Sequence, residues 1–348
     1  MSVKRSPLLS TLLAQLNERT HRTWSLPIVL YAPTSRCNSR CVSCDWWRTD
    51  GASDLSRDEV LGLARELPAL HTRLVVFTGG EPLVRKDVFA LADLFLAQGI
   101  ALHLLTSGLA LERYAREVAD RFSEVTVSLD GHTADLYRAV RGVDGLDAVT
   151  RGVRRLKELR PAMPVRARST LHRVNFRALP DLIDAAARMG LDEISFLTAD
   201  VGSDSFGRLA TVAPRPHALL LEPGEVDELE RVIDEALVSH AGAFRDGLVA
   251  ERGDRLRRLA AYYRAQRGKG PFPRVDCNAP WVSAVVESDG RVRPCFFHPH
   301  VGSIRERPLR ALLDEEMVRF REGLDVSRDA TCQRCVCSLQ LGVRRRPW

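Results

Sequence analysis

Apolar residues along the first two hundred positions follow a repeating order. A short, nearly continuous apolar run is followed by a polar or glycine-containing break, and then by a longer stretch with helical spacing. The runs at 27–31 (Pro-Ile-Val-Leu-Tyr), 73–77, 101–105, 124–129, 165–171 and 193–197 predict strands. The stretches at 56–67, 87–98, 111–122, 147–159 and 178–189 predict helices. Ser56 with Glu59 three residues on makes a capping box, and Gly99 and Gly190 stand where helices end. Strands that are apolar throughout and alternate with helices indicate an α/β chain with a parallel sheet covered by helices. Such a sheet is either doubly wound or an incomplete barrel, and in both cases ligands bind at the carboxyl ends of the strands.

The flanks read differently. Residues 1–26 form a lead in which Leu8, Leu9, Leu12, Leu13 and Leu16 suggest a packed helix too short to be a separate peptide-binding domain. The rhythm stops after Gly202. Residues 203–275 read as a proline-containing linker followed by a charged helical segment. A second module begins at 276, giving the division 1–26, 27–202, 203–275 and 276–348. In this module Trp281 to Val286 and Arg291 to Arg293, joined by Ser-Asp-Gly, predict a hairpin. Pro308 to Glu322 reads as one amphipathic helix. No internal repeat or low-complexity segment is present.

Composition narrows the class. The 348 residues are 45% apolar and 28% charged, ordinary values for a globular chain. Lys and Arg total 51 against 45 acidic residues, so the net charge of +6 is mild. The arginine run at 344–346 reads as a solvated tail, and no nucleic-acid partner is expected. No apolar run approaches the ~20 residues of a membrane span, and no signal peptide is visible. A cytoplasmic location is expected, and there the eight cysteines read as metal ligands rather than disulfides. They form two groups, three at 37–44 and five at 277–337.

Cys37, Cys41 and Cys44 lie in one short loop after the first strand. Three thiolates hold three corners of a four-iron cluster and leave one iron open. The alternatives are a zinc loop, which would need a fourth ligand that is absent nearby, or unrelated core cysteines. Other segments also fall at strand ends. Gly79-Gly80-Glu81-Pro82 follows the second strand, Thr106-Ser107-Gly108 the third, and Ser128-Leu129-Asp130-Gly131 closes the fourth. Gly79 and Gly80 permit a tight turn and close backbone approach.

In this order and spacing, the cysteine loop, Gly-Gly-Glu-Pro and Ser-Leu-Asp-Gly resemble the radical S-adenosylmethionine (radical SAM) enzymes over about residues 27–200. The resemblance implies a partial (β/α)6 TIM-type barrel. It further implies a SAM-chelating 4Fe–4S cluster on Cys37, Cys41 and Cys44, and reductive cleavage of SAM to a 5′-deoxyadenosyl radical that abstracts a hydrogen atom. Gly79, Gly80, Glu81, Ser107, Ser128, Asp130, Arg141 and Leu197 would line the SAM site. Arg141 would pair with the SAM carboxylate. The residue before the third cysteine is often aromatic in the family. Here it is Ser43, and Trp46 or Trp47 is the substitute surface.

Cys277, Gly290 and Cys295 suit a hairpin that brings two thiols together, and Cys332 and Cys335 add a close pair. Four thiolates saturate either a zinc ion or a four-iron cluster. The spacing resembles the small α+β twitch form of the SPASM domain, which implies a second, auxiliary 4Fe–4S cluster, with Cys337 spare or replacing Cys335. The expected reaction is oxidation of a small polar metabolite of sugar, aminocyclitol or nucleoside type, with the auxiliary cluster accepting an electron. An external electron donor of flavodoxin or ferredoxin type is implied. Arg168, Asp200, Arg293, His298 and His300 are the polar groups considered for the substrate. The alternative is maturation of a ribosomally made peptide by crosslinking or epimerisation. A third reading is a non-catalytic redox sensor, which leaves the strand-end motifs unexplained.

Overall fold

In the computed structural model, which describes residues 7–208 and 216–342, the six apolar runs form parallel strands. They are β1 (Ile28–Thr34), β2 (Leu74–Gly79), β3 (Ala101–Thr106), β4 (Glu124–Ser128), β5 (Val165–Leu171) and β6 (Glu193–Thr198). Each pairs with the next in register, as Val29 opposite Val75, Val75 opposite Leu102 and Leu104 opposite Val125 show. One face of each strand packs on the surrounding helices and builds the main core. Val29, Tyr31, Val75, Phe77, Leu102, Leu104, Val125 and Val127 are all fully buried in it. Each such side chain contributes about 1.5–3 kcal/mol of burial free energy. The opposite face, with Leu30, Val76, His103, Leu105, Thr126, Arg168 and Ser195, lines the lumen of an incomplete (β/α)6 barrel.

The C-terminal hairpin extends this sheet. β7 (Ser283–Val286) pairs parallel with β1, with Ile28 opposite Ser283 and Tyr31 opposite Val286. β8 (Arg291–Arg293) and β9 (Gly302–Ser303) follow antiparallel, so the described strands form one nine-stranded sheet ordered β6-β5-β4-β3-β2-β1-β7-β8-β9. On the other side, residues 248–250 bond along β6. Ile194 N–H donates to the Leu248 carbonyl (2.7 Å), and Ala250 N–H to that of Ile194 (2.9 Å). This segment precedes helix Gly253–Gln266, which packs on helix Pro223–Ser239 and on β6. A second apolar cluster, of Ile28, Val76, Ala279, Trp281, Val282, Leu339 and Leu341, joins the lumen face to the C-terminal residues.

Several expectations change. Helix Pro7–Thr20 forms, but Leu9, Leu12 and Leu16 point to solvent while Ser10, Ala14 and Asn17 are buried. Hydrogen bonds decide the face. The Asn17 amide donates to the carbonyls of Ser25 and Trp281 (both 2.6 Å) and accepts from Trp24 N–H (2.7 Å). A helix at Ala134–Arg141 was not expected; Thr133 caps its start and Gly142 ends it. The stretch 308–322 is two helices, Leu309–Asp314 and Glu316–Glu322, broken at Glu315. Residues 279–282 form a helical turn before β7, with Pro280 in its first turn where a missing N–H costs nothing. The capping box at Ser56 and Glu59 is present. The arginine run at 344–346 lies outside the described residues. Among the described residues, no helix is long and apolar enough to cross a membrane.

Candidate functional site

The loop carrying Cys37, Cys41 and Cys44 leaves β1 and is held from three sides by backbone bonds. Gly80 N–H donates to the Thr34 carbonyl (3.1 Å) and Glu81 N–H to that of Arg36 (2.8 Å). On a second side, Arg40 N–H donates to the Arg141 carbonyl (2.8 Å) and Val42 N–H to that of Val140 (3.0 Å). On the third, Phe206 offers its carbonyl to Asp45 N–H (2.9 Å) and to the Cys44 thiol (3.4 Å). Two glycines make this fit possible. A Cβ on Gly80 would lie 2.1 Å from the Arg36 carbonyl oxygen, and one on Gly142, at φ +69°, 2.4 Å from that of Arg40.

Around this loop the strand-end residues divide by task. Both Glu81 oxygens are committed to the protein. One accepts from Leu83 N–H (3.0 Å) and the Thr106 hydroxyl (2.8 Å), the other from Ser107 N–H (2.5 Å). Glu81 therefore ties the end of β2 to the end of β3. Ser107 Oγ donates to Asn38 in the cysteine loop (3.2 Å). Asp130 accepts from Thr170 N–H (2.7 Å) and from Arg141 Nη1 (3.1 Å), which aims the guanidinium. Arg141 Nε is buried without a partner, and the guanidinium lies in the field of Cys41 and Cys37. An orphaned donor beside the thiols fits a ligand carboxylate. Ser128 is half-buried at the end of β4, and Leu197 faces the lumen. Trp47 Nε1 is bonded to the Cys44 carbonyl (2.9 Å), and Trp46 packs against Gly207.

The thiols themselves are tuned by burial, which pushes Cys37 up to about 11 and also raises Cys41 and Cys44. In the second group burial pushes Cys295 up to about 11 and raises Cys277, Cys332 and Cys335. A bound cationic centre stabilises the thiolates and so offsets this burial penalty, the protons leaving to solvent. Among the described residues, the set of three His, Cys, Asp or Glu ligand atoms within 4.8 Å of one another is His298, Asp329 and Cys332. Neither cysteine group is drawn together that tightly. A zinc tetrahedron with bonds of about 2.3 Å sets its thiolates about 3.8 Å apart.

Between the barrel and the second cysteine group lies a cavity of about 770 Å³. Leu30, Val76, Leu105 and Leu197 line it from the barrel, and Cys277, Cys295, Cys332, Cys335 and Cys337 from the other side. Cys337 shares this wall, and its field is felt at Cys277, Cys295 and Cys335, so five thiols converge where four were expected.

Of the polar groups considered for a substrate, Arg168 faces the cavity. Asp200 is paired with Arg208 and Ser203. Arg293 is buried between Glu287 (2.7 Å) and Asp204 (2.9 Å). His298 lies 3.3 Å from the Cys332 sulfur, and His300 is exposed. Sequence reasoning missed Gly142, Phe206 and Glu251. Glu251 carries no motif, and only the pairing of residues 248–250 with β6 brings it to the lumen.

A family model described as the Radical SAM superfamily matches residues 31–186, and one for the SPASM iron-sulfur cluster-binding domain matches 277–336. The chain thus carries a radical SAM domain followed by a SPASM iron–sulfur domain. As a radical SAM protein it binds SAM and a 4Fe–4S cluster, and its SPASM segment binds iron–sulfur as well. It is 26% identical to the Fe-coproporphyrin III synthase of Methanosarcina barkeri, over 91% of this chain and 84% of that one. It is 32% identical to the PqqA peptide cyclase of Rhodopseudomonas palustris, over 49% of this chain and 47% of that one. The fold resembles that of SuiB from Streptococcus suis bound to S-adenosylmethionine. The TM-score is 0.64 at 13% identity, over 94% of this chain and 76% of that one.

Proposed function

We propose that this radical SAM enzyme removes a hydrogen atom from a small organic molecule held in the barrel lumen and completes its oxidation there. The observation that carries this reading is the cavity of about 770 Å³ with the second group of thiols in its wall. That volume includes the place of the second cluster, and the rest is the chamber open to a small molecule. Cys37, Cys41 and Cys44 would hold the SAM-binding cluster. Cys277, Cys295, Cys332 and either Cys335 or Cys337 would hold the second. When bound, SAM and its cluster supply a 5′-deoxyadenosyl radical, given one electron from an external donor, and the second cluster supplies an electron acceptor.

The chain's own residues orient and enclose. Asp130 fixes Arg141, whose free Nε would take the SAM carboxylate. Glu81 locks the ends of β2 and β3 so that the Gly79–Gly80 backbone keeps its approach to the cysteine loop. Leu30, Val76, Leu105 and Leu197 exclude water. This apolar wall favours a substrate with an apolar body beside its polar groups over a bare sugar. One relative that matches across most of both chains has a small-molecule name, Fe-coproporphyrin III synthase.

Peptide maturation is the second reading, and the likeness to the PqqA peptide cyclase favours it. That match spans about half of the cyclase. The two readings separate in one experiment. The anaerobically reconstituted enzyme is supplied with SAM, reductant and either the fraction of an extract below about 1 kDa or the retentate. The proposal expects the small fraction to accelerate 5′-deoxyadenosine formation, with deuterium transfer from a deuterated extract. Acceleration by the retentate alone overturns it.

A further inference from the structure

Two arginines stand on the lumen face of β5, two residues apart, and the protein treats them differently. Arg166 is neutralised by Glu124 and by Glu193 (3.5 Å). Arg168 has no carboxylate within ion-pair distance among the described residues. Its one hydrogen bond there is a long one, from Nε to Ser195 Oγ (3.3 Å). A guanidinium turned into a partly apolar cavity without a counter-charge is unfavourable unless something else supplies the charge.

The nearby carboxyl is arranged so as not to supply it. Glu251 lines the same cavity, but its Oε1 accepts from Phe196 N–H (3.1 Å) and its Oε2 is buried without a partner. Burial pushes this carboxyl up to about 7, against the lowering fields of the Phe196 amide and Arg168; Glu193 raises it further. Near pH 7 about half of it is therefore the neutral acid, which donates a hydrogen bond rather than forming an ion pair. Two further arginines line the cavity without a carboxylate partner among the described residues. Arg255 makes no ion pair among the described residues, and Arg258 donates to the Arg274 carbonyl. Arg252 faces Asp254 (3.8 Å), Asp276 faces Arg274 (3.3 Å), and Glu193, which faces Arg166, lines the cavity as well.

We infer that Arg168, with Ser195 and Glu251 beside it, forms an anion subsite in the lumen, and that the molecule bound there carries a carboxylate or phosphate on an apolar or ring-shaped body. The body would rest on Leu30, Val76, Leu105 and Leu197, and the anion on the guanidinium. This rests on the reading of the lumen as the substrate chamber, and it adds the substrate's charge.

The test is equilibrium binding on the reconstituted protein, without turnover. Benzoate and phenyl phosphate are the anionic probes, and benzamide is the neutral isostere, each titrated by ligand-observed NMR. The subsite predicts millimolar binding of at least one anion, as expected for probes of this size, and preference over benzamide by about tenfold. Arg168→Gln abolishes the preference and Arg168→Lys keeps most of it. Glu251→Ala weakens the anion more than the neutral probe. The ratio of the two anions tells carboxylate from phosphate recognition. Iron content and circular dichroism are measured on each variant, so that a misfolded Arg168→Gln is recognised and the Arg168→Lys and Glu251→Ala results decide instead. Equal binding of benzamide, unchanged preference in Arg168→Gln, or no anion binding at about 20 mM overturns the subsite. If anions bind at Arg168 but no small molecule stimulates 5′-deoxyadenosine formation, the subsite stands and the oxidation reading fails. A neutral substrate that turns over while no anion binds gives the reverse.

Discussion

The ring of Phe206 lies parallel to that of Phe296, with centroids 6.2 Å apart and planes within 8°, while the Phe206 carbonyl accepts from the Cys44 thiol. Phe296 directly follows Cys295. One residue therefore touches the loop of the first cysteine group and the hairpin of the second. It sits at φ +60°, a conformation that costs a non-glycine residue energy and that the surrounding contacts must hold. Phe206→Ala should remove an aromatic contact of about 1 kcal/mol and loosen both loops. Iron release to a chelator from the reconstituted protein should then speed up from both cluster populations, seen as parallel loss of their separate EPR signals. Loss confined to one signal would show that Phe206 does not link the two loops.

Arg141 should matter for SAM and not for iron. Arg141→Gln removes the guanidinium beside the thiols and should weaken SAM binding by about tenfold or more. Arg141→Lys should recover little, because the bond to Asp130 and the free Nε both need the planar fork. Asp130→Asn should weaken SAM less than Arg141→Gln. Equilibrium dialysis with labelled SAM measures all three, with iron and sulfide unchanged as the control.

The two cysteine groups should titrate independently as iron. Wild type should reconstitute with about eight irons and the Cys37, Cys41, Cys44 triple alanine variant with about four. Among single changes in the second group, the one of Cys335→Ala and Cys337→Ala that leaves the auxiliary signal intact identifies the spare thiol. Four irons falling to none in the triple variant would mean that the second group holds no cluster.

Gly142→Ala should damage the SAM-binding cluster from a distance. The new methyl would meet the Arg40 carbonyl at 2.4 Å at a positive φ, so the cysteine loop or the end of helix Ala134–Arg141 must move. A stability loss of at least about 1 kcal/mol is expected. Urea unfolding of the reconstituted protein measures it, and the auxiliary signal should be retained.

Glu251 should impose a pH slope on stability. Its folded value is raised from 4.5 to about 7, so the folded state binds its proton more tightly than the unfolded chain does. That stabilisation is complete below about 4.5 and is lost as pH rises through about 7. Wild type should therefore be less stable at about pH 8 than at about pH 5.5 by more than Glu251→Gln is, in the same urea titration. Parallel profiles for the two proteins would reject the shift.

The sequence by itself determined the local elements and the cofactor chemistry. Strands buried on one helix-facing side, helices with capping residues, and cysteines at short spacing are set by periods of a few residues, so β1 to β6, the Ser56–Glu59 cap and the Cys37–Cys44 loop were all visible in it. The tertiary structure alone decided what depends on contacts between distant positions. Cys44 and Phe206 are 162 residues apart in the chain, and Asn17 and Trp281 are 264 apart. Helix Pro7–Thr20 shows why this matters. Its leucines mark a plausible buried face, yet the hydrogen bonds of Asn17 to distant carbonyls place the polar stripe inside. Glu81 likewise reads as a ligand for SAM until the amide of Ser107 and the hydroxyl of Thr106 are seen to occupy it. Glu251 has no signature at all, because its character comes from being carried along β6 into an apolar lumen, and burial there is a property of the assembled chain.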